Sequence, residues 1–166
     1  MLRVISIDPG NESCGFVLME GLENKPIDKG NLGKKEMIAW LKNQQHIDVL
    51  LIEMVENYGM RVGSDVFETL HFIGYLHAEA KRHGIPEILL IGRKAVKHFH
   101  CNNTGANDSD VRNSLTVKYG LPGVKKSPGY TYGITKHAWQ AFALATYYLE
   151  SLELRQQIKL SYKPIY

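Results

Sequence analysis

Two acidic residues stand at the ends of apolar, β-branched stretches of the sequence, where a strand pattern would favour an apolar residue. Asp8 ends the stretch LRVISID and is followed by Pro9 and Gly10, and Glu53 lies inside LLIEMV. A buried carboxylate is costly unless it is paired or bound to a metal ion. If both strand ends meet at one sheet edge, the two charges require a cation, and oxygen ligands suit Mg²⁺ or Mn²⁺. The alternative for either acid is that it faces solvent or caps a turn.

A histidine and a glutamine occur at the start of the apolar stretch HAWQAFALATYYLESLEL. Its spacing predicts a helix with His137 and Gln140 on one face, which Ala141 and Leu144 continue. A histidine at such a place caps the helix or packs in the core. It becomes a candidate metal ligand if the start of the helix abuts Asp8.

The spacing of apolar residues, glycines and prolines predicts an α/β fold with a mixed sheet flanked by helices. Strands are expected within residues 2–8, 14–20, 24–31, 46–54 and 86–92, and helices at 34–45, 64–83, 93–100, 109–120 and 137–154. The first three strands form an antiparallel meander, and the next two are buried and join in parallel through right-handed crossovers. Residues 121–135, rich in glycine and proline, are expected to be a mobile connection.

Length and composition predict one globular domain that spans residues 1–166. No segment has the roughly 18 uninterrupted apolar residues that a membrane span needs, and the first residues lack the features of a secretory signal. Cys14 and Cys101 form no metal-binding pattern, so we expect reduced thiols, a cytoplasmic protein and no membrane contact.

The net charge of +3 is unevenly distributed. Residues 1–80 carry a net charge of −5, and residues 81–166 carry +8. Such a chain can hold cations in one place and a polyanion in another. Scatter over a solvated surface explains the same charges, so charge alone does not decide between these interpretations.

Five stretches, in order along the chain, resemble the successive motifs of RuvC-type Holliday-junction resolvases. They are IDPG with a glycine five residues later, IEMVENYGM, RKAVKHFH, NDSDVRNSLTVKYGLP and HAWQAFALA. The match runs from residue 2 to residue 152, and its spacing resembles that of the phage-encoded members. The resemblance implies an RNase H-like fold with a five-stranded sheet, a homodimer, and Mg²⁺-dependent cleavage of paired strands in four-way DNA junctions.

The resemblance also implies the metal ligands. Asp8 and Glu53 match the first two acidic ligands, and the two acidic positions of the family's last helix fall on His137 and Gln140. Histidine is itself a ligand, so Asp8, Glu53 and His137 are the expected catalytic residues. The family's site implies two Mg²⁺ ions, replaceable by Mn²⁺, which activate a water and stabilise the leaving 3′ oxygen.

The departure at Gln140 leaves three explanations open, since a neutral amide is a poor Mg²⁺ ligand. Its amide oxygen could ligate weakly. Alternatively, Asp108 or Asp110 could supply the missing carboxylate, although both also suit the cap of the helix that follows. In the third explanation, the protein binds junctions but cuts them slowly or not at all.

Basic and aromatic residues near these motifs are the expected DNA contacts. Related proteins carry an aromatic residue in the loop after the second acid, so Tyr58 is expected to stack on bases, with Arg61 nearby; Tyr58 could equally anchor its own loop. Phosphate contacts are expected from Arg93, Lys94, Lys97, Arg112 and Lys118, with a plain solvated surface as the alternative for each of them. The apolar helix at 64–83 belongs to the core or to a dimer interface.

The stretch IDPGNESCGFVL also resembles the first phosphate loop of the actin-like ATPases. Those proteins need two such lobes around a nucleotide, and 166 residues supply one. The sequence therefore favours a junction-cleaving nuclease over a nucleotide-binding protein, with a non-cleaving junction-binding protein as the alternative.

Overall fold

The structure, a computed structural model, describes residues 1–21, 25–56, 59 and 61–161, with residues 158–161 described by their backbone alone. The strands and helices of this part follow in the order β1 (Arg3–Asp8), β2 (Cys14–Glu20), β3 (Pro26–Leu32), α1 (Lys34–Lys42), β4 (Val49–Met54), α2 (Ser64–Arg82), β5 (Glu87–Gly92), α3 (Arg93–Cys101), α4 (Asp108–Tyr119), β6 (Gly123–Val124), β7 (Ser127–Pro128) and α5 (Ala138–Ser161). Each predicted strand and helix is found, with ends that differ by a few residues.

Strands β1 to β5 form one mixed sheet in the order β3-β2-β1-β4-β5. The pairs β1–β2 and β2–β3 are antiparallel, whereas β4 is parallel to β1 and β5 is parallel to β4. The predicted mixed, five-stranded sheet is therefore confirmed. Because β1 and β4 run in the same direction, their C-terminal ends lie at the same edge of the sheet.

Side chains alternate between the two faces of the sheet, and each face has its own core. Ile5 and Ile52 belong to the core that contains residues of α1 and α2. Val4 and Leu51 belong to the core on the opposite face, which contains residues of α3, α4 and α5. By the same alternation, Asp8 and Glu53 lie on the α5 face, so both carboxylates are directed towards that layer of helices.

The longest helix, α5, packs across β1 and β2 on this second face. The residues of its first turns, among them Ala141, Phe142 and Leu144, are buried against the sheet. Within the described ranges, no helix is long and apolar enough to cross a membrane.

Two expectations differ from the structure. Strand β5 is partly exposed along its length and not buried, because it lies at the edge of the sheet beside β4. The connection at 121–135 contains a short hairpin of β6 and β7, and its predicted mobility stays a prediction. Finally, α5 begins at Ala138, so His137 lies directly before the helix and not in it.

Candidate active site

Asp8 and Glu53 lie side by side at the C-terminal edge of β1 and β4. The parallel register pairs Ile7 with Ile52, so the following residue of each strand brings the two carboxylates to neighbouring positions. Asp8 is 6% exposed and Glu53 is 7% exposed. The structure therefore places the two acids together, as the strand ends led us to expect.

The glycines that follow Asp8 make room for the start of α5. The backbone turns directly after β1, where the N–H of Gly10 donates to the carbonyl oxygen of Asp8 at 3.0 Å. A Cβ on Gly10 would lie 2.8 Å from Cε1 and Nε2 of His137, and a Cβ on Gly15 would lie 2.1 Å from the carbonyl carbon of His137. Because neither position accepts a side chain, both glycines allow His137 to approach Asp8.

His137 forms a direct hydrogen bond with Asp8. Its Nδ1 lies 2.9 Å from Oδ2 of Asp8, and because a carboxylate only accepts, Nδ1 carries the proton. This hydrogen bond and the charge of Asp8 raise the pKa of His137, although partial burial opposes the rise. In the neutral ring, Nε2 remains as the atom that can accept a hydrogen bond or bind a metal ion. The geometric condition for His137 as a ligand is therefore met.

Arg93, the first residue of α3, places its guanidinium between two acidic side chains. Its Nη1 lies 3.3 Å from Oε1 of Glu53, and its Nη2 forms an ion pair with Oδ1 of Asp108, the first residue of α4. Burial alone lowers the pKa of Arg93, but the charges of Glu53 and Asp108 outweigh burial and raise it. Arg93, predicted to contact phosphate, is held by carboxylates in this structure.

The negative charge of Glu53 is only partly compensated, although Arg93 lies beside it. Burial, and next the negative charge of Asp8, raise the pKa of Glu53 to about 7, while Arg93 opposes the rise. A carboxyl group that is buried beside a second acid resists ionisation until more positive charge is supplied. Strongly shifted pKa values of this kind cluster at sites that bind ions or carry out catalysis.

Glu56 holds the start of α3, a contact that the sequence alone did not predict. Its Oε2 accepts a hydrogen bond from the backbone N–H of Lys94 at 2.7 Å. Gly92 leaves space for this side chain, because a Cβ there would lie 2.7 Å from Cδ of Glu56. A carboxylate that contacts the N-terminal end of a helix is stabilised by the helix dipole. In the sequence, the only signs of this contact are Glu56 soon after β4 and Gly92 directly before α3. The two residues come together because β4 pairs with β5, which the sequence does not show.

These side chains surround a cavity of about 270 Å³, which we call the acidic cavity. Its lining includes Asp8, Glu53, Glu56, Arg93, Asp108 and His137. Carboxylates and an imidazole are suitable donors for Mg²⁺ or Mn²⁺, and the raised pKa of Glu53 indicates a deficit of positive charge. The residues therefore fit a divalent cation. As the side chains stand, no three His, Cys, Asp or Glu residues in the described part of the chain are grouped closely enough to share one ion.

The three candidates for a replacement ligand occupy different environments. Gln140 lines a neighbouring cavity of about 760 Å³, which we call the larger cavity, and does not line the acidic cavity. Asp110 accepts a hydrogen bond from the N–H of Asn107, which caps α4 in return. Asp108 lines both cavities. Of the three, Asp108 is the residue that the structure places beside Glu53 and Arg93.

Three further predicted DNA-contacting residues belong to α3 and α4, the helices whose first residues line these cavities. Lys94 and Lys97 belong to α3, and the charge of Lys97 acts on Glu53. Arg112 lines the larger cavity, with its guanidinium 5.0 Å from the centre of the Trp139 ring. Among these basic residues, Arg93 lines the acidic cavity and Arg112 lines the larger cavity.

The other predicted DNA-contacting residues do not join this group. Lys118 lies in the last turn of α4 and pairs with the buried Glu150, to which Tyr119 also donates a hydrogen bond. Arg61 is exposed in the segment before α2. Tyr58 lies outside the described residues, so its predicted stacking on bases stays a prediction.

Comparisons with known proteins indicate one fold. No protein-family model matches the chain, and no curated protein sequence matches it. The structure resembles RuvC from T. thermophilus in complex with a Holliday junction substrate, with a TM-score of 0.65 and 18% identity over 93% of this chain and 96% of that chain. A second T. thermophilus RuvC structure has a TM-score of 0.64 and 16% identity, covering 92% of this chain and 96% of that one.

A third solved structure, the yeast mitochondrial Holliday junction resolvase Ydc2, has a TM-score of 0.60 and 14% identity. The similarity covers 93% of this chain and 82% of the yeast protein. At such low identities the similarity establishes the fold. The chain therefore has an RNase H-like α/β fold, arranged as in the RuvC-type Holliday-junction resolvases that its ordered motifs resemble.

Proposed function

We propose that the protein is a metal-dependent endodeoxyribonuclease that resolves four-way DNA junctions by paired strand nicks. The observation that carries this proposal is the pair of buried acids, Asp8 and Glu53, at one sheet edge below the start of α5. The fold is shared with a resolvase whose structure contains a Holliday junction substrate. The motif spacing further supports a phage-encoded enzyme that acts in the bacterial cytoplasm.

Asp8 and Glu53 are the proposed ligands of Mg²⁺ or Mn²⁺. Nε2 of His137 and the carboxylate of Asp108 are further donors around the same cavity. A metal ion bound there supplies an activated water and stabilises negative charge on the leaving oxygen. The chain holds these donors in place through β1, β4 and the hydrogen bond between His137 and Asp8. This chemistry requires no serine or cysteine nucleophile.

The basic residues around the two cavities are the proposed contacts for DNA phosphates. The charge of Lys97 acts on Glu53, Arg112 lines the larger cavity with Asp108, and Lys94 follows Arg93 on α3, so these residues would balance the repulsion between phosphate and carboxylate. Arg61 and Tyr58 belong to the segment between β4 and α2, where we propose that they contact opened bases. Such contacts explain how a chain with an acidic site can bind a polyanion.

A homodimer is the proposed assembly, because two coordinated cuts require two active sites. On α2, Phe67 is 64% exposed and Tyr75 is 47% exposed. The exposed His71 lies four residues from each of them, so the three side chains form a stripe along one face of the helix. This stripe is the surface that we propose for contact with a second copy of the chain.

A junction-binding protein with weak or no cleavage is the second candidate. Gln140 favours it, since a neutral amide that lines the larger cavity adds no charge to the acidic cavity. Such a protein would have the same fold and basic surface, but it would not cleave the DNA strands efficiently.

The deciding experiment incubates a labelled four-way junction with the purified protein, with and without Mg²⁺ or Mn²⁺, alongside a linear duplex of the same length. Symmetric nicks that require metal and Asp8 would establish a resolvase. Specific binding without a cut strand at any metal concentration would select the second candidate. Equal binding to both DNAs would contradict both proposals.

A further inference from the structure

The hairpin of β6 and β7, at the opposite end of α4 from the acidic cavity, presents two adjacent lysines. The two strands pair Val124 with Ser127, so Lys125 and Lys126 form the tip, and both side chains are exposed. We call residues 123–128 the basic hairpin. We propose that it binds the phosphate backbone of a duplex arm away from the branch point of a junction. This inference rests on the proposed junction binding and adds a DNA contact outside the two cavities.

The positive charge of this part of the chain is not compensated by carboxylates of its own. Residues 111–149 contain five lysines and arginines and no aspartate or glutamate. Lys118 pairs with Glu150, which lies just outside this range. Neither Lys125 nor Lys126 forms an ion pair with any residue that the structure describes. Two adjacent cations at one tip repel each other, and the phosphates of DNA would relieve that repulsion.

The base of the basic hairpin is tied to α4. The N–H of Gly129 donates to the carbonyl oxygen of Pro122 at 2.8 Å, and a Cβ on Gly129 would lie 2.1 Å from the carbonyl oxygen of Leu121. The next residue, Tyr130, stacks on Tyr119 at the end of α4, with the ring centres 5.4 Å apart. Because both ends of the hairpin are held in this way, the position of its two lysines follows from that of the helix.

The length of α4 sets the distance between the basic hairpin and the acidic cavity. Asp108, the first residue of α4, lines the acidic cavity, and Arg112 lines the larger cavity one turn further on. A helix of 12 residues is about 18 Å long, which equals about five base-pair steps of duplex DNA at roughly 3.4 Å each. A duplex that lies along α4 with one phosphate at the acidic cavity would therefore bring more distant phosphates to the basic hairpin.

The shape of the basic hairpin suits a groove of DNA. A two-stranded β-ribbon fits the major groove of B-DNA, which is about 12 Å wide. Val124, beside the lysines, and Leu121, before the hairpin, are largely exposed, and apolar side chains of this kind contact base edges while lysines contact phosphates. Because the adjacent lysines require a polyanion, we assign this surface to DNA and not to an apolar protein partner.

The test compares the double variant Lys125→Gln/Lys126→Gln with Lys35→Gln/Lys81→Gln as the matched control. The control removes the same charge from exposed positions on α1 and α2, which pack on the opposite face of the sheet. Fluorescence anisotropy without metal measures the affinity for a four-way junction and for a linear duplex at several salt concentrations. The hairpin variant should lose on the order of tenfold in affinity for both DNAs at about 0.15 M salt, and its salt slope should fall by about two phosphate contacts. The control should keep the wild-type affinity and slope.

A photo-crosslinker attached to Lys125→Cys locates the contact on the DNA. We expect cross-links within a duplex arm, about five base pairs from the branch point, and none from the same reagent on Lys81→Cys. Cross-links confined to the branch point would overturn the proposed position of the hairpin.

An unchanged salt slope in Lys125→Gln/Lys126→Gln would overturn the inference and leave the proposed cleavage intact, since the basic hairpin lines neither cavity. An equal loss in the control variant would also overturn it, because any two surface lysines would then have the same effect. If the wild type does not cut a junction but the difference in slope is present, the proposed cleavage is wrong and the hairpin contact stands.

Discussion

Two buried glutamates show how similar burial can lead to opposite electrostatic results. Glu79, on α2, is 1% exposed and pairs with two cations, Lys42 at 3.4 Å and Arg82. Burial alone would raise the pKa of Glu79, but the hydrogen bond with Lys42 and the charge of Arg82 outweigh it, so the pKa is lowered. This acid is fully compensated within the fold.

Glu53 is almost as buried, but its surroundings contain a single close cation and additional acids. Arg93 is shared with Asp108, and Asp8 lies next to Glu53, so burial and repulsion raise the pKa of Glu53 to about 7. The comparison shows that burial alone does not distinguish an acid whose charge is compensated from one whose charge is not. The distinction lies in whether the fold itself provides the compensating charge.

The largest expected effect is the loss of cutting in Asp8→Asn. The rate of junction cleavage should fall on the order of a thousandfold, because a group that holds stabilising charge at the reaction centre is removed. Junction affinity should stay equal or increase, since one negative charge near the phosphates is lost. Cleavage assays and gel-shift titrations measure the two quantities, with Glu79→Gln as the buried-acid control that keeps its cutting rate. Joint loss of cutting and binding in Asp8→Asn would contradict the metal-ligand proposal.

The next effect concerns stability, where the same substitution should act in opposite directions at the two glutamates. Glu79→Gln should lower the melting temperature by several degrees, because Lys42 and Arg82 lose their shared partner. Glu53→Gln should raise it at pH 8 without metal, because a buried charge beside Asp8 disappears. Thermal unfolding of both variants measures this. A decrease in both would show that Glu53 is as well compensated as Glu79.

A smaller effect is the pH dependence of stability. The pKa of Glu53 is about 7 in the folded chain, above its ordinary value of 4.5, so the folded chain holds this proton more tightly. Without metal, the contribution of Glu53 to the free energy of unfolding is greatest below pH 4.5. It falls as the pH rises to 7, by about 3 kcal/mol at most. Denaturant titrations of the wild type and Glu53→Gln across this range should diverge, and parallel curves would refute the raised pKa.

The smallest expected effect is on the salt dependence of junction affinity, which should differ between variants of Lys97 and Lys118. Lys97 acts on the acidic cavity, whereas Lys118 already pairs with Glu150. Lys97→Gln should reduce the slope of junction affinity against salt concentration by about one phosphate contact. Lys118→Gln should leave the slope unchanged and lower the melting temperature. Fluorescence anisotropy at several salt concentrations measures the slopes, and an equal reduction in both variants would restore Lys118 as a DNA contact.

Much of this fold could be predicted from the sequence because its signals are local. Alternation of apolar residues marks strands such as β1 and β4, and helical spacing with glycine and proline breaks marks the helices. The capping alternative for Asp110 also follows from three neighbouring residues. The buried position of β5 was predicted wrongly, because an apolar stretch does not show how many strands will lie beside it.

What the sequence by itself determined is therefore the set of elements, the two acids that end β1 and β4, and the neutral Gln140 in the last helix. Only the tertiary structure decided that Arg93 lies between Glu53 and Asp108, that Glu56 holds α3, and that Gln140 lines the larger cavity. The physical reason is that strand register and the convergence of helix starts bring these groups together across the sheet. Local propensity carries no information about such distant charges.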